Sequence, residues 1–186
     1  ALIELEKEYT NKVNTILQLR HHEAIIELKD RIESGSKDKI YNIDLKYITS
    51  RGNWYYSSWK GDIDKSGGIA SNIGIHFFDM LQWIFGAMKS HSVEIKTRDT
   101  NSGILTFERA RVKWFLSINS NNLPQECKDE GLRTFRTLVI EGDAIEFSKG
   151  FNDLHTVSYE KIIEGRGYGL KDAKNSLDIV SKIREN

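Results

Sequence analysis

Cysteine, proline and net charge are all scarce in this chain. Cys127 is its one cysteine and Pro124 its one proline among 186 residues, and 27 basic side chains balance 27 acidic ones. A lone cysteine excludes an internal disulfide framework and leaves no cysteine cluster for zinc, which is consistent with a reducing cytoplasm. A formal net charge of +0 with 29% charged residues provides no basic field for nucleic acid and no basic amphipathic stretch for a membrane surface. A small-molecule partner fits better. No run reaches the ~18 consecutive apolar residues that span a bilayer, and the N-terminus lacks the basic-then-apolar order of a secretory signal. A soluble, unexported protein is expected. Internal repeats, low-complexity tracts and interdomain linkers are also missing. At this length the expectation is one domain with a sizeable core. No Gly-x-Gly-x-x-Gly follows a strand anywhere, so these residues lack the turn that cradles a dinucleotide pyrophosphate.

What the chain does have is an apolar segment of helical length, Gly67 to Gly86, bounded by glycines and interrupted by Asn72, His76 and Asp79. At ~100° per residue these three fall within roughly 60° of one another on a helical wheel. The pattern predicts a buried helix with one polar stripe. Burying an amide, an imidazole and a carboxylate without partners costs kilocalories per group, so the stripe is either satisfied internally or faces a ligand cavity. One reading is a structural network in which Asp79 fixes the His76 tautomer; the other is a catalytic histidine oriented by that carboxylate, with Asn72 on substrate. Gly67, Gly68 and Gly74 favour the second reading, because they remove side chains where a cofactor or sugar would approach the backbone.

Around this helix, Leu2 to about Lys12 reads as an amphipathic helix and Val13 to Leu19 as a strand. Arg20, His21 and His22 follow. No third ligand sits at metal spacing from the two histidines, and sequence neighbours diverge in direction, so no metal is expected. Arg20 can hold a carboxylate or phosphate bidentately, or serve a surface ion pair. His22 to Glu33 reads as a packing helix and Lys39 to Thr49 as a strand with one apolar face. Trp54 to Ser66 is dense in aromatics, hydroxyls and charge. Its rings suit stacking on a base or sugar, with Arg51 or Lys60 meeting phosphates, or they roof the core as an aromatic cluster. Segments near Ser92–Arg98, Gly103–Arg109, Arg111–Asn119, Thr134–Glu141 and Ala144–Phe147 read as strands, with Glu141-Gly142-Asp143 a hairpin signal. Asp153 to Glu164 and Leu170 to Arg184 read as helices, joined by Gly165-Arg166-Gly167-Tyr168-Gly169, either a ligand loop or a helix corner. The strands after Gly86 carry apolar residues on both alternations, Val112, Trp114, Leu116 and Ile118 against Phe115, which predicts helices on one sheet face and a partner subunit on the other.

Gly67-Gly68 leading into Asn72-Ile-Gly74-Ile-His76-Phe-Phe-Asp79 resembles the signature of the glucose-fructose oxidoreductase, inositol dehydrogenase and rhizopine-catabolism family of nicotinamide-dependent oxidoreductases. In that signature the first position is an aspartate; here it is Asn72. Leu17-Gln-Leu-Arg-His-His22, Tyr47-Ile-Thr-Ser-Arg-Gly-Asn-Trp-Tyr55, Ser58-Trp-Lys-Gly61 and Gly165-Arg-Gly-Tyr-Gly169 resemble one branch of it, the bacterial dehydrogenases acting on UDP-N-acetylglucosaminuronate in lipopolysaccharide O-antigen synthesis. The resemblance implies an α+β domain with a large, mostly antiparallel mixed open sheet. Helices would cover one face, and the other would form a homodimer or homotetramer. It assigns residues 1–19 to the end of a preceding Rossmann domain that is otherwise absent, and residues 20–186 to the C-terminal substrate-binding and catalytic domain. It further implies NAD, bound mainly by that preceding domain, and a cytoplasmic enzyme oxidising the hydroxyl at sugar carbon three. In this scheme His76 takes the hydroxyl proton and Asp79 orients it. Arg20, Ser58, Lys60, Asn72, Arg166 and Tyr168 contact substrate, and Arg51 and Trp54 the cofactor. The competing expectation is a non-catalytic carbohydrate-binding or assembly module, or a dehydrogenase of another sugar or polyol. A His76 packed away from any cavity would favour the module; an open cleft lined by Arg20, Lys60, Asn72 and His76 would favour the enzyme.

Overall fold

The computed structural model describes residues 2–145, 150–151 and 153–185. Eight helices run α1 Leu2–Glu8, α2 Glu23–Ser34, α3 Asn53–Ser57, α4 Ile63–Ser66, α5 Ile75–Phe85, α6 Gln125–Asp129, α7 Leu154–Ile163 and α8 Leu170–Glu185. Eight strands run β1 Asn14–Thr15, β2 Tyr41–Thr49, β3 Met88–Lys96, β4 Thr100–Phe107, β5 Ala110–Ser117, β6 Thr134–Ile140, β7 Asp143–Ile145 and β8 Tyr168–Gly169. The sheet has six strands in the order β3-β4-β5-β2-β6-β7. Among the described residues β2 and β5 pair in parallel, and the other neighbours are antiparallel. This is the mixed, mostly antiparallel sheet of an α+β domain that was expected.

Alternation on the strands builds the core. Tyr41, Ile43 and Leu45 of β2, Val112, Trp114 and Leu116 of β5, and Leu105 and Phe107 of β4 are buried against Phe77, Phe78, Leu81 and Phe85 of α5. Trp114 meets Phe78 edge-on at 5.4 Å, a geometry worth ~0.5–1.5 kcal/mol beyond the area buried. The Ile25, Leu28, Ile32 stripe of α2 and the Ala173, Ile179, Val180, Ile183 stripe of α8 complete the helical layer. The intervening positions Asn42, Asp44, Lys46, Arg111 and Lys113 are exposed. The face away from the helices is therefore a charged lattice in which Phe115, Ile104 and Val139 are only half-buried. It is less apolar than the alternation alone predicts. The Glu141-Gly142 turn joins β6 to β7 as a two-residue hairpin, both residues having positive φ of 54° and 93°, as a type I′ turn requires. Phe147, at the end of the strand expected there, lies outside the described residues.

Two expectations about elements are corrected. The first helix stops at Glu8, short of Lys12. The strand expected over Val13–Leu19 is only Asn14–Thr15, which pairs with Gly169 and Tyr168; the chain then tightens into a 3-10 turn over Gln18–His21. Leu17 and Leu19 are buried at that turn, so the apolar run that reads as a strand is anchoring a turn. On α8, Leu177 is 54% exposed, outside the buried stripe.

Candidate functional site

The helix carrying the polar stripe is not regular. Its first turn, Ala70–Gly74, is a π turn that passes directly into α5. An i→i+5 turn inserts a residue relative to α spacing, and such bulges often occur at functional sites. A wheel drawn at regular α spacing does not describe this turn. Asn72 instead donates its Nδ2 to the carbonyl of Lys60 at 3.2 Å, which ties the aromatic loop to the start of the helix. Gly74 serves packing: a Cβ there would lie 2.6 Å from Phe78 Cε2 and 2.9 Å from Leu116 Cδ1. Gly67 is the left-handed C-cap of α4, φ 74°. Local packing and the left-handed cap thus each require a glycine at these two positions whether or not a ligand approaches.

Asp79 is also placed differently. Its carboxylate accepts from Arg20 Nε at 2.9 Å and Arg20 Nη2 at 2.7 Å, and both side chains are buried. Arg20 Nη2 donates in addition to the Asp172 carbonyl at 3.1 Å, and the guanidinium lies 4.7 Å over the Tyr168 ring. Burial pushes the Asp79 carboxyl above its ordinary range, and the Arg20 guanidinium opposes this. The carboxylate expected to orient His76 is thus committed to Arg20. By the same contacts Arg20 is a structural clamp joining the 3-10 turn, α5 and the start of α8, and its Nε–Nη2 edge is not open for substrate.

His76 is half-buried, and its Nδ1 lies 3.3 Å from Gln18 Nε2. Burial holds the imidazole below its ordinary value of 6.5, and the nearby His155 of α7 adds to that. His76 opens onto a cavity of about 270 Å³ lined by Gln18, Ile75, Asp79, Ser176 and Leu177. Of the four residues expected to line one cleft, the cavity brings in His76 alone. Lys60 lies in the 3-10 turn Trp59–Gly61 and Asn72 in the π turn bonded to it, and Arg20 is bound to Asp79.

The remaining expected contacts divide. Tyr168 reaches the site through its stacking on Arg20 and lies 5.5 Å from the His21 ring. Ser58 Oγ donates to the Tyr55 carbonyl at 2.8 Å, so its hydroxyl closes a local turn. Lys60 Nζ sits 5.9 Å over the Trp59 ring. Arg51, Trp54 and Trp59 are exposed, and the loop presents them together as an aromatic and cationic surface. Arg166 is ion-paired with Glu164 at the surface. No group of His, Cys, Asp and Glu able to hold a metal occurs among the described residues, and no described helix is long and apolar enough to cross a membrane. Sequence reasoning missed Gln18, Asp172 and His155. Gln18 stood inside a motif already singled out, Leu17 to His22, but only its contact with His76 marks it.

Residues 29–128 match the model of an oxidoreductase family, C-terminal alpha/beta domain. The chain is similar to the WlbA (WbpB) dehydrogenase from Thermus thermophilus. In the complex of that protein with NAD and alpha-ketoglutarate the TM-score is 0.93 at 43% identity, over 98% of this chain and 59% of that one. In its complex with NAD and UDP-GlcNAcA the TM-score is 0.92 at the same 43% identity, over 98% and 58%. The WlbA dehydrogenase from Bordetella pertussis, with NADH and UDP-GlcNAcA, shares the fold at TM-score 0.75 and 18% identity, over 99% of this chain and 63% of that one. The chain therefore spans under two thirds of these relatives. By the family match, and by a fold retained at 43% identity over nearly its whole length, the chain belongs to this oxidoreductase family, through its C-terminal alpha/beta domain.

Proposed function

We propose that this chain is the substrate-binding and proton-handling part of an NAD-dependent dehydrogenase that oxidises the hydroxyl at sugar carbon three of a UDP-N-acetylglucosaminuronate-type nucleotide sugar. The cell would use the product in lipopolysaccharide O-antigen synthesis in the cytoplasm. The observation that carries this reading is the 43% identity, over 98% of the chain, to a dehydrogenase crystallised with NAD and UDP-GlcNAcA. His76, kept neutral by burial and standing at a cavity, is the group suited to take the hydroxyl proton. When bound, NAD supplies the hydride acceptor. These residues contain no glycine-rich strand-to-helix turn for its pyrophosphate, so they can offer the cofactor no more than its outer contacts, for which exposed Arg51 and Trp54 remain the candidates.

Residues 1–19 are read as the end of a nucleotide-binding domain. Helix α1 buries no residue, and Leu2, Leu5 and Tyr9 are exposed at 59%, 47% and 65%, an apolar surface suited to cover by such a domain. On the nucleotide-sugar side, the Trp54–Lys60 surface would stack on the base or sugar while Lys60 and Arg51 meet phosphate. Asn72, bonded to the Lys60 carbonyl, Ser58, Tyr168, Arg166 and the remaining edge of Arg20 are the further candidates for substrate contact. Homodimer or homotetramer formation through the open sheet face is retained, with Phe115, Ile104 and Val139 as its apolar centre and the surrounding lysines, arginine and Asp44 as polar partners. The test is NADH formation by the full-length protein from NAD and UDP-N-acetylglucosaminuronate. Turnover with this substrate and none with UDP-N-acetylglucosamine, which lacks the carboxylate, is the expected result. Equal turnover with a free polyol would replace the reading with another dehydrogenase of the family.

A further inference from the structure

With Asp79 held by Arg20, the only hydrogen-bond partner that the described residues give the His76 ring is the Gln18 amide, 3.3 Å from Nδ1. The backbone of Gln18 is fixed on both sides: Leu17 and Leu19 are buried, and the 3-10 turn closes through Arg20 N donating to the Leu17 carbonyl at 3.1 Å. Its other amide atom, Oε1, is buried without a hydrogen-bond partner. A primary amide carries a donor and an acceptor on one two-fold torsion and can exchange them without moving its backbone. Turning the Gln18 amide over would bring Oε1 to Nδ1 and break no bond that Oε1 now makes.

We infer that Gln18 is the positioning residue that sets the tautomer of His76, its terminal amide turning over between donating to Nδ1 and accepting from it. The inference rests on the proposed role of His76 as proton acceptor. Because Gln18 covers Nδ1, Nε2 is the nitrogen left for substrate. When the amide donates, Nδ1 is the acceptor, the neutral ring carries its proton on Nε2, and Nε2 has no lone pair for a hydroxyl proton. When Oε1 accepts, Nδ1 carries the proton and Nε2 is a base; after it takes the hydroxyl proton, Nδ1–H remains on Oε1. A carboxylate could serve only the second state, since it accepts and never donates, and it would raise the basicity of the ring. His155 from α7 bears on His76, and Asp79, paired with Arg20, lines the same cavity. Gln18 adds no charge to that set.

Long-range ¹H–¹⁵N correlation of the histidine rings in the ¹⁵N-labelled full-length protein reads the tautomer directly, above the pKa of His76. Gln18→Glu should move His76 to the Nδ1–H tautomer and raise its pKa by about one unit or more, whereas Gln18→Met should remove the preference seen in the unsubstituted protein. In turnover, Gln18→Met should lose ~10-fold in kcat with KM little changed. Gln18→Glu should keep more of kcat, with the acid limb of its pH profile displaced to higher pH. Identical ring-nitrogen signatures in all three proteins would overturn the inference even if His76 proved catalytic. Ring nitrogens that respond to Gln18, with turnover indifferent to His76→Asn, would retain the coupling and overturn the proton-acceptor role instead.

Discussion

Replacing Arg20 with methionine isolates the clamp at the centre of the site. Methionine keeps most of the aliphatic stem but removes the guanidinium. Asp79, with 4% side-chain exposure, then loses both charge-assisted bonds, and the Asp172 carbonyl loses its donor. Breaking a buried ion pair from one side costs about 3–5 kcal/mol, because the remaining charge is left without compensation. In a chain of this size each kcal/mol moves the melting temperature by ~2–4 °C, so a drop of roughly 6–20 °C is expected. The loss should depend on pH with a defined sign. Burial already raises the Asp79 carboxyl in the folded state, and removing Arg20 takes away the main opposition to that rise and leaves only the weaker hydrogen bond from Ser176. The folded state then binds the proton more tightly than the unfolded chain, so stability is present below the unfolded carboxylate value and is lost as pH rises through the folded one. Arg20→Met should accordingly be less damaging near about pH 4 than near about pH 7. The double variant Arg20→Met, Asp79→Leu, which removes both charges, should recover much of the loss. Thermal melts followed by circular dichroism decide it. A shift under ~2 °C at neutral pH would mean that water reaches Asp79 and that the pair is not the clamp described.

Gly74→Ala should destabilise by ~1–3 kcal/mol, since the added methyl meets Phe78 and Leu116 on the packed side of the π turn; urea unfolding at unchanged m-value is the check, and a neutral result would show that the turn can move off β5. His76 contributes a second pH dependence, of opposite sign to Asp79. Its folded pKa lies below 6.5, so the unfolded chain binds more protons in that window. The contribution is present above about pH 6.5 and is lost as pH falls through the folded value, and His76→Phe should flatten that part of the stability profile measured from about pH 7.5 to about pH 5. Light scattering at micromolar concentration should give at least a dimer; Phe115→Lys together with Ile104→Lys, on the open face, should dissociate it, and a wild-type monomer would remove the open face as an interface.

Much of the fold was legible because its signals are local. The apolar run from Ile75 to Phe85 between glycines, the alternation of Tyr41 to Thr49, and the Glu141-Gly142 turn each specify their element within a few residues. The site was legible only as a list. A cavity beside His76 was one of the two readings its stripe allowed, but the partner of Asp79 is 59 residues away in sequence, and no periodicity connects the two. Arg20 was singled out for its chemistry, with a ligand carboxylate or phosphate or an ion pair left open, and nothing local pointed to the carboxylate on α5 as its partner. The π turn has no compositional signature, and a helical wheel cannot show the bond from Asn72 to the Lys60 carbonyl, which lies on a separate turn. The run from Val13 to Leu19 has the composition of a strand, yet the burial of Leu17 and Leu19 and the delivery of Arg20 to Asp79 require a turn there.

The central claim is that His76 accepts the substrate hydroxyl proton, and the kinetics of His76→Asn in the full-length protein test it most directly. Asparagine preserves a polar side chain of similar reach to Gln18 but cannot take the proton. The account predicts a fall in kcat of ~10²-fold or more, with the dissociation constant for the nucleotide sugar nearly unchanged and the melting temperature within a few degrees of wild type. A variant that turns over at the wild-type rate, or one that unfolds with no selective loss of kcat, would contradict it.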